Sequence, residues 1–519
     1  MLIKEVIFGD DARQRLIKGV NTVANAVGST LGAQGRTALI ESENHVGGIT
    51  VTKDGVTLAK SINLADPVEN LAVMIMREAS EKTANVAGDG TTTSMVLAQA
   101  IIHAATGLIT PEDNITQVLR DVQSAAIRVA QELTAMSTEI TADKLVDVAT
   151  ISANGDQEIG QIIADAYSQV GLTGVVSVEA SGNEQTWSEV VSGMKIDRGF
   201  ASKYFVTDHK KQEAVLDNPY ILVSDQPISS MNDIIHLIEF IYEQGSNKKS
   251  LLIIAEMDEN VLNTLNTNKV KAGLKVCTIV PPQFGYKRHQ IMQDIAEATG
   301  AVYFSEQTGD NLAMVAIDDL GRAEKVVSGR YNTLIFGANG ESRLAYLQEQ
   351  LSSESSEIEK VFLKERIASL GGGVAVIKVG ANSDIEQKEK KDRVDDAVCA
   401  VRAALEEGIL PGGGVALKDV AANLDENNKG DEILRLAMVA PMMRILSNAG
   451  IDVESSDFDE GKQLSKEGVG INVATGAYCH MMSVGIIDPT KVTKECIKNA
   501  VSVAVTLLST DTVITNARA

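Results

Sequence analysis

Cysteine is scarce in this chain. Cys277, Cys399, Cys479 and Cys496 stand far apart, with no C-x-x-C pair among them. Isolated thiols of this kind argue against a zinc cluster or a disulfide scaffold and suit a reducing, cytoplasmic setting. An excess of positive charge is also missing: 47 Lys+Arg against 70 Asp+Glu leave a formal charge of −23. Such a chain repels phosphate backbones, so nucleic acid is not an expected partner. Residues 1–11 are dotted with acidic side chains and lack the apolar centre of a secretory signal. Residues 91–111 carry no charge, which raises the question of a membrane span. They are interleaved with Thr, Ser, Gln and His and follow a glycine turn, so a buried helix is expected instead. Short repeats and low-complexity tracts are absent. So is the G-x-x-x-x-G-K-[ST] phosphate loop.

What remains is an ordinary globular composition, 44% apolar and 23% charged, in 519 residues. That length exceeds one hydrophobic core and implies two or three domains. Apolar residues recur at helical spacing over 11–28, 68–85, 94–105, 115–136, 431–447 and 492–508. In the middle the pattern changes. Tyr220-Ile-Leu-Val-Ser, Leu251-Leu-Ile-Ile-Ala, Lys275-Val-Cys-Thr-Ile-Val and Ala301-Val-Tyr-Phe-Ser read as strands, with helical segments at 230–243, 260–271 and 287–299 between them. Such alternation predicts a parallel α/β module inserted into a helical domain built from both ends of the chain. Gly193 and the run Gly371-Gly-Gly373 border the insertion. Both crossings are candidate hinges, because glycine accepts backbone angles other residues resist.

The sharpest local feature is Gly88-Asp-Gly-Thr-Thr-Thr93, set between two helical segments. A glycine turn that opens a helix presents free N–H groups at the positive end of the helix dipole, where phosphate oxygens bind. The threonines add hydroxyl donors, and Asp89 adds a hard carboxylate suited to Mg²⁺. A tight turn with threonine N-caps is the competing reading. Thr30-Leu-Gly-Ala-Gln-Gly35 is a second glycine turn, Thr52-Lys-Asp-Gly55 sets a carboxylate beside a lysine, and Leu410-Pro-Gly-Gly-Gly414 is a third flexible loop. Asp396, in the charged helical run 388–407, is placed to orient a water; a solvated helix face is the bland alternative.

Taken together and in order, these segments resemble group I (GroEL-like) chaperonins. The likeness runs from Phe8-Gly-Asp-Asp-Ala-Arg13 to Thr510-Asp-Thr-Val-Ile-Thr. On the way it takes in Ile151-Ser-Ala-Asn, Asp197-Arg-Gly199, Gly372-Gly-Val-Ala-Val-Ile-Lys-Val-Gly380, Arg393-Val-Asp-Asp-Ala397, Gly412-Gly-Gly-Val-Ala-Leu417 and Asp488-Pro-Thr-Lys-Val492. The resemblance implies a multidomain fold with hinges at Gly193, Gly373 and Gly408. Residues 1–136 and 409–519 would be an all-α equatorial ATP-binding domain. A small α/β intermediate domain would span 137–192 and 374–408, and 193–373 an inserted α/β apical domain. It further implies ATP and Mg²⁺ as cofactors, with K⁺ as an additional candidate. Thr30, Leu31, Gly32, Gly413, Asn472, Ala474 and Asp488 would surround the nucleotide. Lys53, Gly90, Thr91, Thr92 and Thr93 would meet phosphate. Asp89 would bind the metal, and Asp54 and Asp396 would position and activate the attacking water. Phe200, Ser202, Tyr204, Phe205, Ile235, Ile238 and Leu262 would hold non-native clients and a lid co-chaperonin. The implied activity is ATP hydrolysis coupled to protein folding in a homo-oligomeric, seven-membered ring, single or double.

Some positions depart from the family pattern. Asn266 and Thr267 replace two valines on the second groove helix, so that helix should grip apolar clients less well. Lys203 replaces a proline. The loop at Thr110-Pro-Glu-Asp is about one helical turn short, and Ile451-Asp-Val-Glu-Ser-Ser differs, both at the expected base of the ring. A Gly-Gly-Met tail is replaced by Asn516-Ala-Arg-Ala. Divergence of this kind suits a phage-encoded version working in a bacterial cytoplasm. The rival readings are a ring scaffold or assembly factor with reduced folding activity, a group II chaperonin, and a small-molecule kinase. No acceptor-substrate motif supports the last.

Overall fold

The computed structural model describes residues 4–41, 48–171, 174–209, 211–242, 249–354, 356–371, 374–458 and 461–516. It forms two compact units: residues 1–165, 178–187 and 377–519 in the first, and 166–177 and 188–376 in the second. Gly373, expected as a hinge, lies outside the described residues.

The first unit is a helical body drawn from both ends of the chain, as the periodicity predicts. Helices Gly9–Gly28, Pro67–Ala87, Thr91–Leu108, Ile115–Met136, Lys429–Met438 and Thr490–Leu508 share one core, in which Val23, Met76, Leu97, Val122, Leu434 and Ile497 are fully buried. Local chemistry sets where these helices begin. Asp66 accepts from the backbone N–H groups of Val68 and Glu69 ahead of Pro67 in the first turn, and Asn114 accepts from Gln117. The uncharged run 91–108 is uncharged because Met95, Leu97 and Ile101 sit at the centre of this core. Among the described residues no helix is long and apolar enough to cross a membrane.

One expected helix, 431–447, is two. Lys429–Met438 and Ala440–Asn448 meet at Val439 because Pro441 has no N–H to continue the ladder. Short pairings escaped the sequence reading, among them the following two. Lys4–Phe8 pairs antiparallel with Thr512–Asn516, and Ala38–Glu41 with Ile49–Thr52. Helices Ala142–Ser152 and Asp384–Glu407 pack against each other in the same unit. The chain enters and leaves this helix pair at adjacent points: Thr138 and Ile409 exchange two backbone hydrogen bonds, of 3.0 and 2.8 Å. Gly408 lies there at φ +82°, and a Cβ on it would come within 2.4 Å of Ser137 Oγ.

The second unit holds the predicted parallel sheet, ordered Val276–Ile279, Ser250–Ile254, Pro219–Ser224, Tyr303–Phe304. Its connecting helices are Ile235–Tyr242, Glu259–Ala272 and Gly285–Thr299. Just past the ends of Pro219–Ser224 and Tyr303–Phe304, Asp225 accepts from Tyr303 Oη (2.6 Å), Ser305 Oγ (3.0 Å) and the Glu306 N–H (2.9 Å). An antiparallel sheet was not foreseen: Gly193–Ile196, Thr333–Phe336, Lys325–Ser328 and Ala214–Asp217, in that order. Gly193 pairs with Phe336 in it. Glycine at 193 answers to space and not to backbone freedom, since a Cβ would lie 2.7 Å from Val374 Cγ2 and the φ is not left-handed.

Asp294 is buried between two guanidinium groups. It bonds Arg366 Nε (2.6 Å) and Nη2 (2.7 Å), and Arg343 Nε (2.7 Å). Removing the carboxylate takes its partner from buried Arg366, whereas Arg343 keeps Glu297 (3.1 Å). Asp294→Ala should therefore cost the second unit about 3–5 kcal/mol in urea titration; a loss below about 1 kcal/mol would contradict that accounting.

Candidate functional site

The Gly88–Thr93 segment links two helices through a pair of left-handed glycines. Gly88 (φ +75°) ends Pro67–Ala87, and Gly90 (φ +82°) begins Thr91–Leu108. Space enforces both. A Cβ on Gly88 would lie 2.4 Å from Cys399 Cβ, and one on Gly90 2.5 Å from Cys496 Sγ. No side chain caps the start of Thr91–Leu108, so the first-turn N–H groups at Thr91, Thr92 and Thr93 remain available to an anion.

The other motifs close around this turn. Gly55 abuts it: a Cβ there would lie 2.6 Å from Thr92 Oγ1 and 2.8 Å from Thr91 Oγ1. Asp54 caps the helix Gly55–Ser61, accepting from the N–H groups of Val56 (3.1 Å) and Thr57 (2.9 Å) and from Thr57 Oγ1 (2.6 Å). Neighbouring Lys53 makes no hydrogen bond or ion pair among the described residues. The turn at Thr30, Leu31 and Gly32 (φ +84°) is fastened by Asn448 Nδ2, which donates to the carbonyls of Gly28 (2.9 Å) and Leu31 (2.8 Å). From the same turn Gln34 Nε2 donates to the Val473 carbonyl (2.9 Å). That places it beside the hairpin Val469–Asn472/Ala477–His480, where Asn472 Oδ1 accepts from the Ala474 N–H (2.9 Å). Asp488 pairs across a short ladder with Leu410, next to Gly413.

Electrostatics tie the motifs together. Asp54, Asp89, Asp396 and Asp488 are half-buried in one recess. Desolvation first, then the nearby charge of Asp54, raises Asp89, although the Gly90 N–H (2.5 Å) and Ser152 Oγ (3.1 Å) donate to it. Asp396, on Asp384–Glu407, is raised well above the carboxylate range by desolvation and by the charges of Asp89 and Asp54. Burial and Asp89 push Asp488 up to about 7, against backbone hydrogen bonds from Gly414 and Gly413. Carboxylates crowded in this way favour protons or a cation between them. Among the described residues no three carboxylate, histidine or cysteine side chains gather closely enough to hold a metal by themselves; Asp89 beside a free helix N-terminus instead fits a divalent cation that takes its other ligands from phosphate.

A sequence model of the TCP-1/cpn60 chaperonin family matches residues 23–518. The chain belongs to that family. Chaperonins are ATP-dependent protein-folding ATPases that assemble as rings and act on client proteins, and this is the function of the chain. The chaperonin gp146 from the bacteriophage EL 2 (Pseudomonas aeruginosa), crystallised in the presence of ATP-BeFx, shares the fold in two crystal forms. One gives a TM-score of 0.71 at 24% identity over 100% of both chains. The other gives 0.65 at 24% identity over 99% of both.

In the second unit of this chaperonin the expected client residues divide. Tyr204 (59% exposed) and Ile235 (42%) face solvent, whereas Phe200, Ile238 and Leu262 are partly buried against the core. Phe205 corrects the sequence reading: it is fully buried, so it offers a client no surface. Lys269 Nζ donates to the Phe205 carbonyl and lies 5.9 Å from the centre of its ring. Ile234 and Ile241, in the same 230–243 segment as Ile235 and Ile238, lie in the core. Asn266 is turned inward, while Thr267 is exposed and donates its hydroxyl to the Asn263 carbonyl (2.8 Å). Sequence reasoning missed Asn448, Gln34 and Ser152, which act through hydrogen bonds that no local motif announces.

The raised Asp488 makes stability depend on pH. From about pH 4 to about pH 7 the folded chain keeps a proton there that the unfolded chain has released, so stability falls as pH rises through that window. In EDTA and without nucleotide, Asp488→Asn should flatten the fall in melting temperature between pH 5 and 7. Parallel curves for the variant and the parent would show that Asp488 ionises freely.

Proposed function

We propose that this chaperonin hydrolyses ATP at the recess formed by Asp54, Asp89, Asp396 and Asp488. The reading rests chiefly on one observation: carboxylates from three separate segments, Asp54, Asp89 and Asp396, converge beside an uncapped helix N-terminus. The phosphates are held by the first-turn N–H groups, by the hydroxyls of Thr91, Thr92 and Thr93, and by Lys53. Thr30, Leu31, Gly32, Gly413, Asn472, Ala474 and Asp488 enclose the nucleoside. Asp89 holds Mg²⁺, which neutralises charge on the phosphate oxygens when bound, and K⁺ is a further candidate cation. Asp54, fixed by its cap bonds, orients the attacking water. Asp396, whose charge interacts with Asp89 and Asp54, takes the proton. Catalysis is thus positioning and charge stabilisation, with no covalent protein intermediate.

Asp396 rides on a helix that ends at Gly408, so motion about Gly408 and the adjacent Ser137–Thr138 segment would make and break the catalytic set. The division is then equatorial for residues 1–136 and 409–519, intermediate for 137–192 and 374–408, and apical for 193–373. Exposed Tyr204 and Ile235, with Ile238 and Leu262, form the apical surface for non-native clients and a lid co-chaperonin. Neighbouring subunits join through two ribbons whose outer faces carry exposed apolar side chains among polar ones. Val6, Phe8 (62% exposed) and Ile514 lie on one, and Leu39 (74%) and Ile49 on the other. The ring has seven members, stacked singly or in pairs, and works in a bacterial cytoplasm.

Two measurements test this. Asp396→Ala should lower steady-state ATP turnover about a hundredfold or more while ADP affinity stays within about twofold; undiminished turnover would remove Asp396 from the chemistry. Leu39→Asp should convert rings to smaller species in sedimentation velocity and electron microscopy. Intact rings in that variant would move the interface elsewhere.

A further inference from the structure

Ser152 stands at the last position of the helix Ala142–Ser152, and its hydroxyl donates to Asp89 Oδ2 at 3.1 Å. Among the described residues it is the side chain that hydrogen-bonds this carboxylate; the other partner is the N–H of Gly90, 2.5 Å from Oδ1. The helix carrying Ser152 packs against the helix carrying Asp396. One helix pair therefore delivers two groups to the recess: a carboxylate beside Asp89 and a hydroxyl onto Asp89. Left-handed Asn154 (φ 59°) and Gly155 (φ 84°) turn the chain just beyond Ser152.

We infer that Ser152 is a positioning residue that couples seating of this helix pair to metal loading at Asp89. The inference rests on the proposed role of Asp89 as the Mg²⁺ ligand. A hydroxyl bond to an ionised carboxylate is charge-assisted and fixes its rotamer. Each carboxylate oxygen has a second lone pair, so the bond leaves Asp89 able to bind a cation while restricting where it points. Outer partners of this sort tune metal affinity by about 10- to 100-fold. Coupling is reciprocal. If the seated helix pair orients Asp89 for the metal, then the metal favours the seated arrangement, which also brings Asp396 into place.

The test uses the full-length assembled protein and binding of ADP, so that it does not depend on hydrolysis. ADP affinity is measured while Mg²⁺ is titrated, and again in EDTA, for the parent, Ser152→Ala and Ser152→Thr. The half-saturating Mg²⁺ concentration should rise about tenfold or more in Ser152→Ala. It should stay within about threefold of the parent in Ser152→Thr, which keeps the hydroxyl. All three proteins should bind ADP alike in EDTA, and in an Asp89→Ala background Ser152→Ala should have no further effect. An unchanged Mg²⁺ midpoint in Ser152→Ala overturns the coupling. So does an equal loss of ADP affinity with and without Mg²⁺, or an additional loss in the Asp89→Ala background. If the parent itself binds ADP independently of Mg²⁺, the reading of Asp89 as a metal ligand fails first, and the role of Ser152 falls with it.

Discussion

Mutual repulsion among carboxylates is the constraint on which this molecule turns. Asp54, Asp89, Asp396 and Asp488 are brought into one recess although each raises the cost of ionising another. A fold selected only for stability would separate them. The surrounding structure over-determines their positions instead. Left-handed glycines wedged against Cys399 and Cys496 fix the turn at Asp89, cap bonds fix Asp54, and a short ladder fixes Asp488. The helical core beneath supplies the rigidity that holds such a site together.

Asp396 differs from the others in how it is held. Asp54, Asp89 and Asp488 belong to segments embedded in or laddered onto the large helical core. Asp396 reaches them from a helix pair tethered through the narrow double crossing at Thr138 and Ile409. The helix carrying Asp396 also packs on Thr490–Leu508, where Lys491 pairs with Glu406 and Lys494 with Glu407, so any motion of the helix pair would be coupled to that contact as well.

The helical body and the parallel sheet were legible in the chain because both rest on long-period apolar patterns. The parallel strands are continuous apolar runs, buried on both faces. Elements of four or five residues, such as Ala38–Glu41 and Gly193–Ile196, carry too few side chains to set a period and were missed. The break at Val439 follows from one proline inside a strong helical pattern that outweighed it. At the proposed nucleotide site, short motifs exposed Asp89 and its glycines, because a left-handed turn admits few residues. Asn448 and Gln34 were invisible, since an amide that donates to a carbonyl hundreds of residues away leaves no local trace. Phe205 was misplaced for a related reason. An aromatic in a loop can point either way, and here Lys269 holds it inward.

The Asp225 network in the second unit carries a consequence of its own. In open α/β sheets, small molecules lodge where neighbouring strands diverge at their carboxyl ends. Here Asp225, Tyr303 and Ser305 fill that crevice with bonds to one another. In the proposed reading, recognition by this module therefore falls to its outward helices and loops. Those surfaces can drift in character, as exposed Thr267 shows, while the sheet beneath them keeps its shape.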